Sequence, residues 1–168
     1  MYEYDLVYDG NTQPKLKIKK DFDEGRGILI KDLDEVVELI NKEYDLRNLY
    51  IEYNFLICFS SEGYFLGYYV LGKGDHKSVS WNQKELLLAT LLMNGESVAT
   101  LHNHPGCEMY KLSGSDADHN VKEQEKETLE IVDVEYIGSY IATGEGWREI
   151  DDTGEWHEWI LSEEEVEE

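Results

Sequence analysis

The segment Leu101-His-Asn-His-Pro-Gly-Cys-Glu-Met-Tyr-Lys-Leu-Ser-Gly-Ser-Asp116 places two imidazoles, a serine and a carboxylate close together in sequence. In an extended chain alternate side chains share a face, so His102 and His104 point to one side and can take two adjacent corners of a tetrahedral metal site. Pro105 ends the extended run, a loop follows, and Ser113-Gly-Ser-Asp116 opens a helix whose aspartate can turn toward the same point. Two imidazoles and one carboxylate leave a fourth position for water, which is the pattern of a catalytic zinc and not of a closed structural one. Ser113 and Asp116 also suit an ordinary helix cap with an acid in the first turn. The two readings are compatible, because a capping turn would hold the aspartate rotamer.

Hydrolysis at such a site needs a base for the water proton. Glu52 is the candidate, because it sits in an otherwise apolar, aromatic stretch where a carboxylate is expensive to bury without a partner. The plainer alternative is a strand-end residue facing solvent. His119 follows Asp116 by three residues and could face the site, although an exposed helix position is the commoner fate. Cys107 lies in the loop beside the proposed metal, where a thiolate could displace the water or respond to redox state. An unremarkable loop cysteine is the simpler reading.

These residues must be positioned by a scaffold of alternating strands and helices. Residues 2 to 8 and 15 to 19 alternate in strand fashion around Asp9-Gly10-Asn11, as a hairpin or N-terminal extension would. From Asp32, Leu33, Val36, Val37, Ile40 and Tyr44 recur at helical spacing, with Asp32 and Glu35 as a capping pair. Residues 49 to 59 and 64 to 71 read as a hairpin of two largely buried strands turning at Ser60-Ser-Glu-Gly63. Asn82 with Glu85 caps a helix that is apolar nearly all round through Met93 and closes at Gly95. Ser97 to Leu101 is a short strand leading into the histidines. Residues 114 to 131 form a polar helix with a thin stripe of Ala117, Val121, Thr128 and Leu129, and Val132 to Ile141 a further strand. Trp147 to Trp156 is a hairpin centred on Asp-Thr-Gly, and the acidic residues 161–168 are a solvated tail.

A chain of 168 residues, 41% hydrophobic, suits a single domain with one core. Fifteen Lys plus Arg against 37 Asp plus Glu leave a formal charge of -22. That surface repels phosphate backbones and anionic membranes, which disfavours nucleic-acid and membrane partners and suits basic ones. The N-terminus lacks the basic start and apolar run of a signal peptide, and no stretch reaches membrane-spanning length, so a cytoplasmic location is expected. Cys58 and Cys107 are two thiols far apart, which argues against a disulfide framework.

Ala99-Thr-Leu-His-Asn-His-Pro105, the following Ser-x-x-Asp, and Tyr50-Ile-Glu52-Tyr on an early strand together resemble the JAMM (MPN+, JAB) metalloenzyme family, in its RadC-like branch. The likeness spans roughly Asp32 to Ile141. It implies a mixed sheet flanked by helices, the α/β/α cytidine-deaminase-like architecture, with extra strands at each end. It divides the chain into an N-terminal strand extension (1–31), a RadC-like core (32–141), a C-terminal hairpin (142–160) and the acidic tail (161–168). Carried over residue by residue, it implies zinc held by His102, His104 and Asp116, Glu52 as general base and acid, and Ser113 steadying the oxyanion. One departure concerns the loop. Eight residues, Pro105 to Leu112, separate His104 from Ser113, where the family usually has seven. The register therefore stays open, because Ser115 and Asp118 also satisfy Ser-x-x-Asp; Ser113 and Asp116 need the smaller loop change. Trp81-Asn82 stands where RadC-like proteins often carry His-Pro, so His76 need not be functional.

The resemblance implies cleavage of a peptide or isopeptide bond in a protein or peptide substrate, with ubiquitin-like modifiers among the candidates. Two alternatives come with it: the DNA-associated role linked to RadC-like proteins, and a catalytically silent interaction module. The residues leave the oligomeric state open.

Overall fold

The computed structural model describes residues 2–8, 10, 13–23, 27–75, 80–106, 114–151 and 155–160. Among the described residues eight strands and three helices follow one another: β1 (Tyr2–Tyr8), β2 (Pro14–Asp21), α1 (Leu33–Tyr44), β3 (Tyr53–Phe59), β4 (Phe65–Lys73), α2 (Gln83–Leu92), β5 (Ser97–Asn103), α3 (Asp116–Glu130), β6 (Glu135–Ala142), β7 (Gly146–Glu149) and β8 (Trp156–Glu158). The strands form one mixed sheet in the order β2-β1-β4-β3-β5-β6-β7-β8. β3 pairs antiparallel with both β4 and β5, whereas β5 and β6 are parallel and are joined through α3.

The central strands are apolar in both directions because both faces of the sheet are covered. On β3, Phe55, Ile57 and Phe59 point to the α1 side, where they meet Val36, Val37 and Ile40. Leu56 and Cys58 point the other way, into a second cluster with Leu86, Ala89 and Met93 from the α2 segment and Leu129 of α3. Helices thus cover both faces, which is the layered α/β arrangement expected. Burial pushes the Cys58 thiol up to about 12, which makes it an inert packing group.

The helices start where their caps dictate. The Asp32 side chain accepts from the Asp34 backbone N–H at 2.9 Å, and Asn82 accepts from that of Lys84 at 2.8 Å. α2 buries one face only: Leu86, Ala89 and Thr90 are covered, while Leu91 and Leu92 stay exposed. Its all-round apolar sequence had suggested fuller burial. Among the described residues no helix is long and apolar enough to cross a membrane.

The terminal strands extend the sheet at both ends. β1 and β2 are an antiparallel hairpin, and β1 joins β4 in parallel through Glu3↔Tyr68 and Tyr4↔Tyr69. Gly67 permits that approach, since a side chain there would collide with the Tyr2 carbonyl oxygen and the Tyr4 ring. Buried Glu3 fastens the hairpin to the body of the protein, accepting from the hydroxyls of Tyr44 at 2.8 Å and Tyr68 at 3.1 Å and pairing with Lys19. At the other end β7 pairs with β8, and Trp147 stacks on His157 with ring centroids 4.0 Å apart. The Asp-Thr-Gly turn and the acidic tail lie outside the described residues.

Candidate metal centre

β5 runs edge to edge between β3 and β6, so its last residues emerge from the middle of the sheet. His102, buried, faces the side covered by α3. His104 follows one step beyond, its backbone N–H bonded to the Ala142 carbonyl at 2.8 Å. The alternation expected of an extended chain brings the two Nε2 atoms to 2.9 Å.

The carboxylate that meets them belongs to Asp118. Its Oδ1 lies 3.3 Å from His102 Nε2 and 3.8 Å from His104 Nε2. The three separations bracket the ~3.4 Å edge of a tetrahedron with bonds of ~2.1 Å, so this group can hold a metal ion. Asp116, placed at this corner by the resemblance, is instead the exposed first residue of α3 and is not in the group. The reason is local. Ser115, not Ser113, caps α3, and it forms a capping box with Asp118: Oδ2 of Asp118 takes the Ser115 N–H and hydroxyl, both at 2.7 Å, and Ser115 Oγ takes the Asp118 N–H at 3.2 Å. The helix therefore begins two residues later than the favoured register, and Asp118 takes the corner. Ser113 and Cys107 lie outside the described residues, as does His76. His119 is not in the group; its ring lies beside Gly114, where an added methyl would sit 3.2 Å from its Nε2.

The charges suit ligation. Burial disfavours the imidazolium of His102 and lowers its pKa despite the neighbouring Asp118, so the ring is neutral and keeps a lone pair. Burial also works against the Asp118 carboxylate, but the adjacent imidazoles of His102 and His104 and the hydrogen bonds with Ser115 outweigh it and hold its pKa far below the usual range. The centre thus presents a neutral imidazole at His102 and an anion at Asp118.

Glu52 stands beside this group, just before β3 and on the same face as Asn54, and it is only 8% exposed. Desolvation raises its pKa; His104 opposes the shift, and Asp118 and Asp75 add to it. Its backbone is held on both sides, by Glu52 N–H to the Asp75 carbonyl and Gly74 N–H to the Glu52 carbonyl, both 2.8 Å.

A residue that the sequence reading passed over holds Glu52 in register. Asn103, between the two histidines and 1% exposed, points to the opposite face. Its amide donates to the Ile51 carbonyl at 2.9 Å and accepts from the Tyr53 N–H at 2.8 Å, gripping the residues on either side of Glu52. An asparagine on a buried strand, where a bare amide is costly, was the signal available.

A family model described as a RadC-like JAB domain matches residues 30–153. No curated protein matches the chain. The matched span begins just before α1 and ends after β7, so it takes in every described side chain of the centre and leaves out the β1–β2 hairpin and β8. On the strength of that match the chain belongs to the RadC-like JAB domain family.

Proposed function

We propose that the chain is a zinc-dependent hydrolase that cleaves an amide bond, either peptide or isopeptide, in a protein or peptide substrate. The observation that carries this reading is the convergence of His102, His104 and Asp118 at metal-ligating separations with a buried carboxylate, Glu52, beside them. A bound divalent ion would supply a Lewis acid for the scissile carbonyl and lower the pKa of water. Glu52 would take the proton from the attacking water and return it to the leaving amine. Its raised pKa makes it a stronger base than an ordinary surface carboxylate and a competent acid once protonated. Asn103 would keep it in line with the histidines, and the Ser115–Asp118 cap would keep the anionic ligand in a single rotamer.

A DNA-associated role is opposed by the net charge of -22, which offers little to neutralise phosphates. A silent interaction module is opposed by the retention of every ligand type.

The test is elemental analysis of the purified protein beside three variants, with hydrolysis followed on a mixed peptide and isopeptide library. About one zinc per chain is expected, lost in a His102→Ala, His104→Ala double variant. Glu52→Gln should keep the zinc and slow hydrolysis by about 10²–10⁴-fold. A wild-type chain that takes up no zinc, or a Glu52→Gln variant with unchanged turnover, would overturn the reading.

A further inference from the structure

A second carboxylate lies beneath the centre and is not used by the hydrolytic scheme. Glu125 is fully buried on α3, two turns beyond Asp118. Its Oε2 accepts from the Thr100 hydroxyl at 2.7 Å and from the Tyr136 hydroxyl at 2.6 Å. Thr100 Oγ1 is also hydrogen-bonded with Ser139 Oγ at 3.2 Å. The partners come from β5 and β6, and Thr100 is two residues before His102 on the same face of the same strand.

The rest of α3 explains why this matters. The line facing the sheet is Asp118, Lys122, Glu125 and Leu129, at the i, i+4, i+7, i+11 spacing of one helix face. Of these only Leu129 enters the apolar core. Lys122 instead donates to the Ile150 carbonyl at 2.7 Å, with Glu149 Oε1 at 3.4 Å. The half of the helix that carries Asp118 is therefore held by directional polar bonds. Apolar contacts tolerate sliding, whereas bonds of 2.6 to 2.7 Å fix the helix relative to the strand closely. Burying a carboxylate is a poor way to gain stability, since a well-packed apolar residue often does as well or better.

We propose that Glu125 is a positioning residue for the metal centre: by bonding Thr100 and Tyr136 it seats α3 on the strand that carries His102, and so sets Asp118 at ligating distance. This rests on the reading of His102, His104 and Asp118 as a metal site.

The experiment measures zinc affinity of the full chain by competition with a chromophoric chelator. It also records the visible spectrum of the cobalt-loaded protein and a thermal melt of the metal-free form. Glu125→Leu is expected to keep a cooperative melt while binding zinc about 10–100-fold more weakly, the range for outer-shell partners of metal ligands, with an altered cobalt spectrum. Glu125→Gln retains an acceptor oxygen for Thr100 and Tyr136 and should restore wild-type affinity and spectrum. Should Glu125→Leu fail to fold, Tyr136→Phe, which removes one bond and one atom, carries the test with a smaller loss in the same direction. Folded Glu125→Leu and Tyr136→Phe variants that bind zinc and cobalt as the wild type does would overturn the proposal, and so would a Glu125→Gln variant as impaired as Glu125→Leu. A wild-type chain with no zinc uptake would overturn the metal reading itself, an outcome distinguishable because wild type and variants would then be alike in lacking metal, not in holding it.

Discussion

Asp118 uses its two oxygens for different purposes: Oδ2 closes the capping box with Ser115, and Oδ1 faces the histidines. The cap restricts the side chain, so at the proposed metal site Asp118 would need little reorganisation to bind an ion. Asp118→Ala should therefore weaken zinc binding beyond the roughly 100-fold ceiling of outer-shell changes, whereas Asp116→Ala should leave it within about twofold. Titration of both variants against a chelator checks this, and equal losses in the two would discard the assignment. The histidine pair was legible in sequence because strand periodicity alone puts His102 and His104 on one face. The aspartate was not, because Ser113/Asp116 and Ser115/Asp118 satisfy the same spacing and a loop length is a weak constraint. A deciding signal did exist. Counting back from Leu129 in helical steps gives Glu125, Lys122 and Asp118, whereas the line from Asp116 passes through Asn120, Glu123 and Glu127 and never reaches an apolar residue.

At the scale of elements, α3 shows where sequence patterns mislead. Ala117 and Val121 suggested its buried stripe, yet Ala117 is exposed and Val121 only half-buried, because the covered face is polar for most of its length. Hydrophobic periodicity cannot reveal a face whose contacts are hydrogen bonds. α1, by contrast, was legible down to its Asp32 cap, since Val36, Val37 and Ile40 are both its periodic residues and its buried ones. The polar face of α3 carries a pH signature. Burial pushes the Glu125 carboxyl up to about 7, against hydrogen bonds from Tyr136 and Thr100 that favour the charged form. The native pKa lies above the unfolded value of 4.5, so the folded state binds the extra proton between the two. Its stabilising contribution is complete below the unfolded pKa and is lost as pH rises through about 7. Urea melts of the metal-free protein from about pH 5 to about pH 8 should show stability falling more steeply in the wild type than in Glu125→Gln. Parallel curves would mean that Glu125 does not titrate in this window.

For the whole molecule the dominant quantity is charge. At -22, self-repulsion opposes the compact state at low ionic strength and is screened as salt is added. The melting temperature should rise between ~0.01 M and ~0.15 M sodium chloride, where the screening length contracts from about 30 Å to about 8 Å; a melting point indifferent to salt would show that the acidic groups are too dispersed to repel. The outer strands were legible as a hairpin at each end, but not their attachment, which depends on Gly67 and on buried Glu3 meeting Tyr44 and Tyr68 from distant parts of the chain. The grip of Asn103 on residues 51 and 53 has a similar reach, joining segments about fifty residues apart in sequence. In the unfolded chain His102 and His104 are already neighbours, so an ion bound at the proposed centre would find two of its ligands there, while Asp118 would join them only when α3 docks, and Glu52 would come alongside only when β3 pairs with β5. Metal binding at the proposed centre would therefore reward folding only by the increment that Asp118 adds, and a chain that captured an ion early would still have its longest-range closures to make.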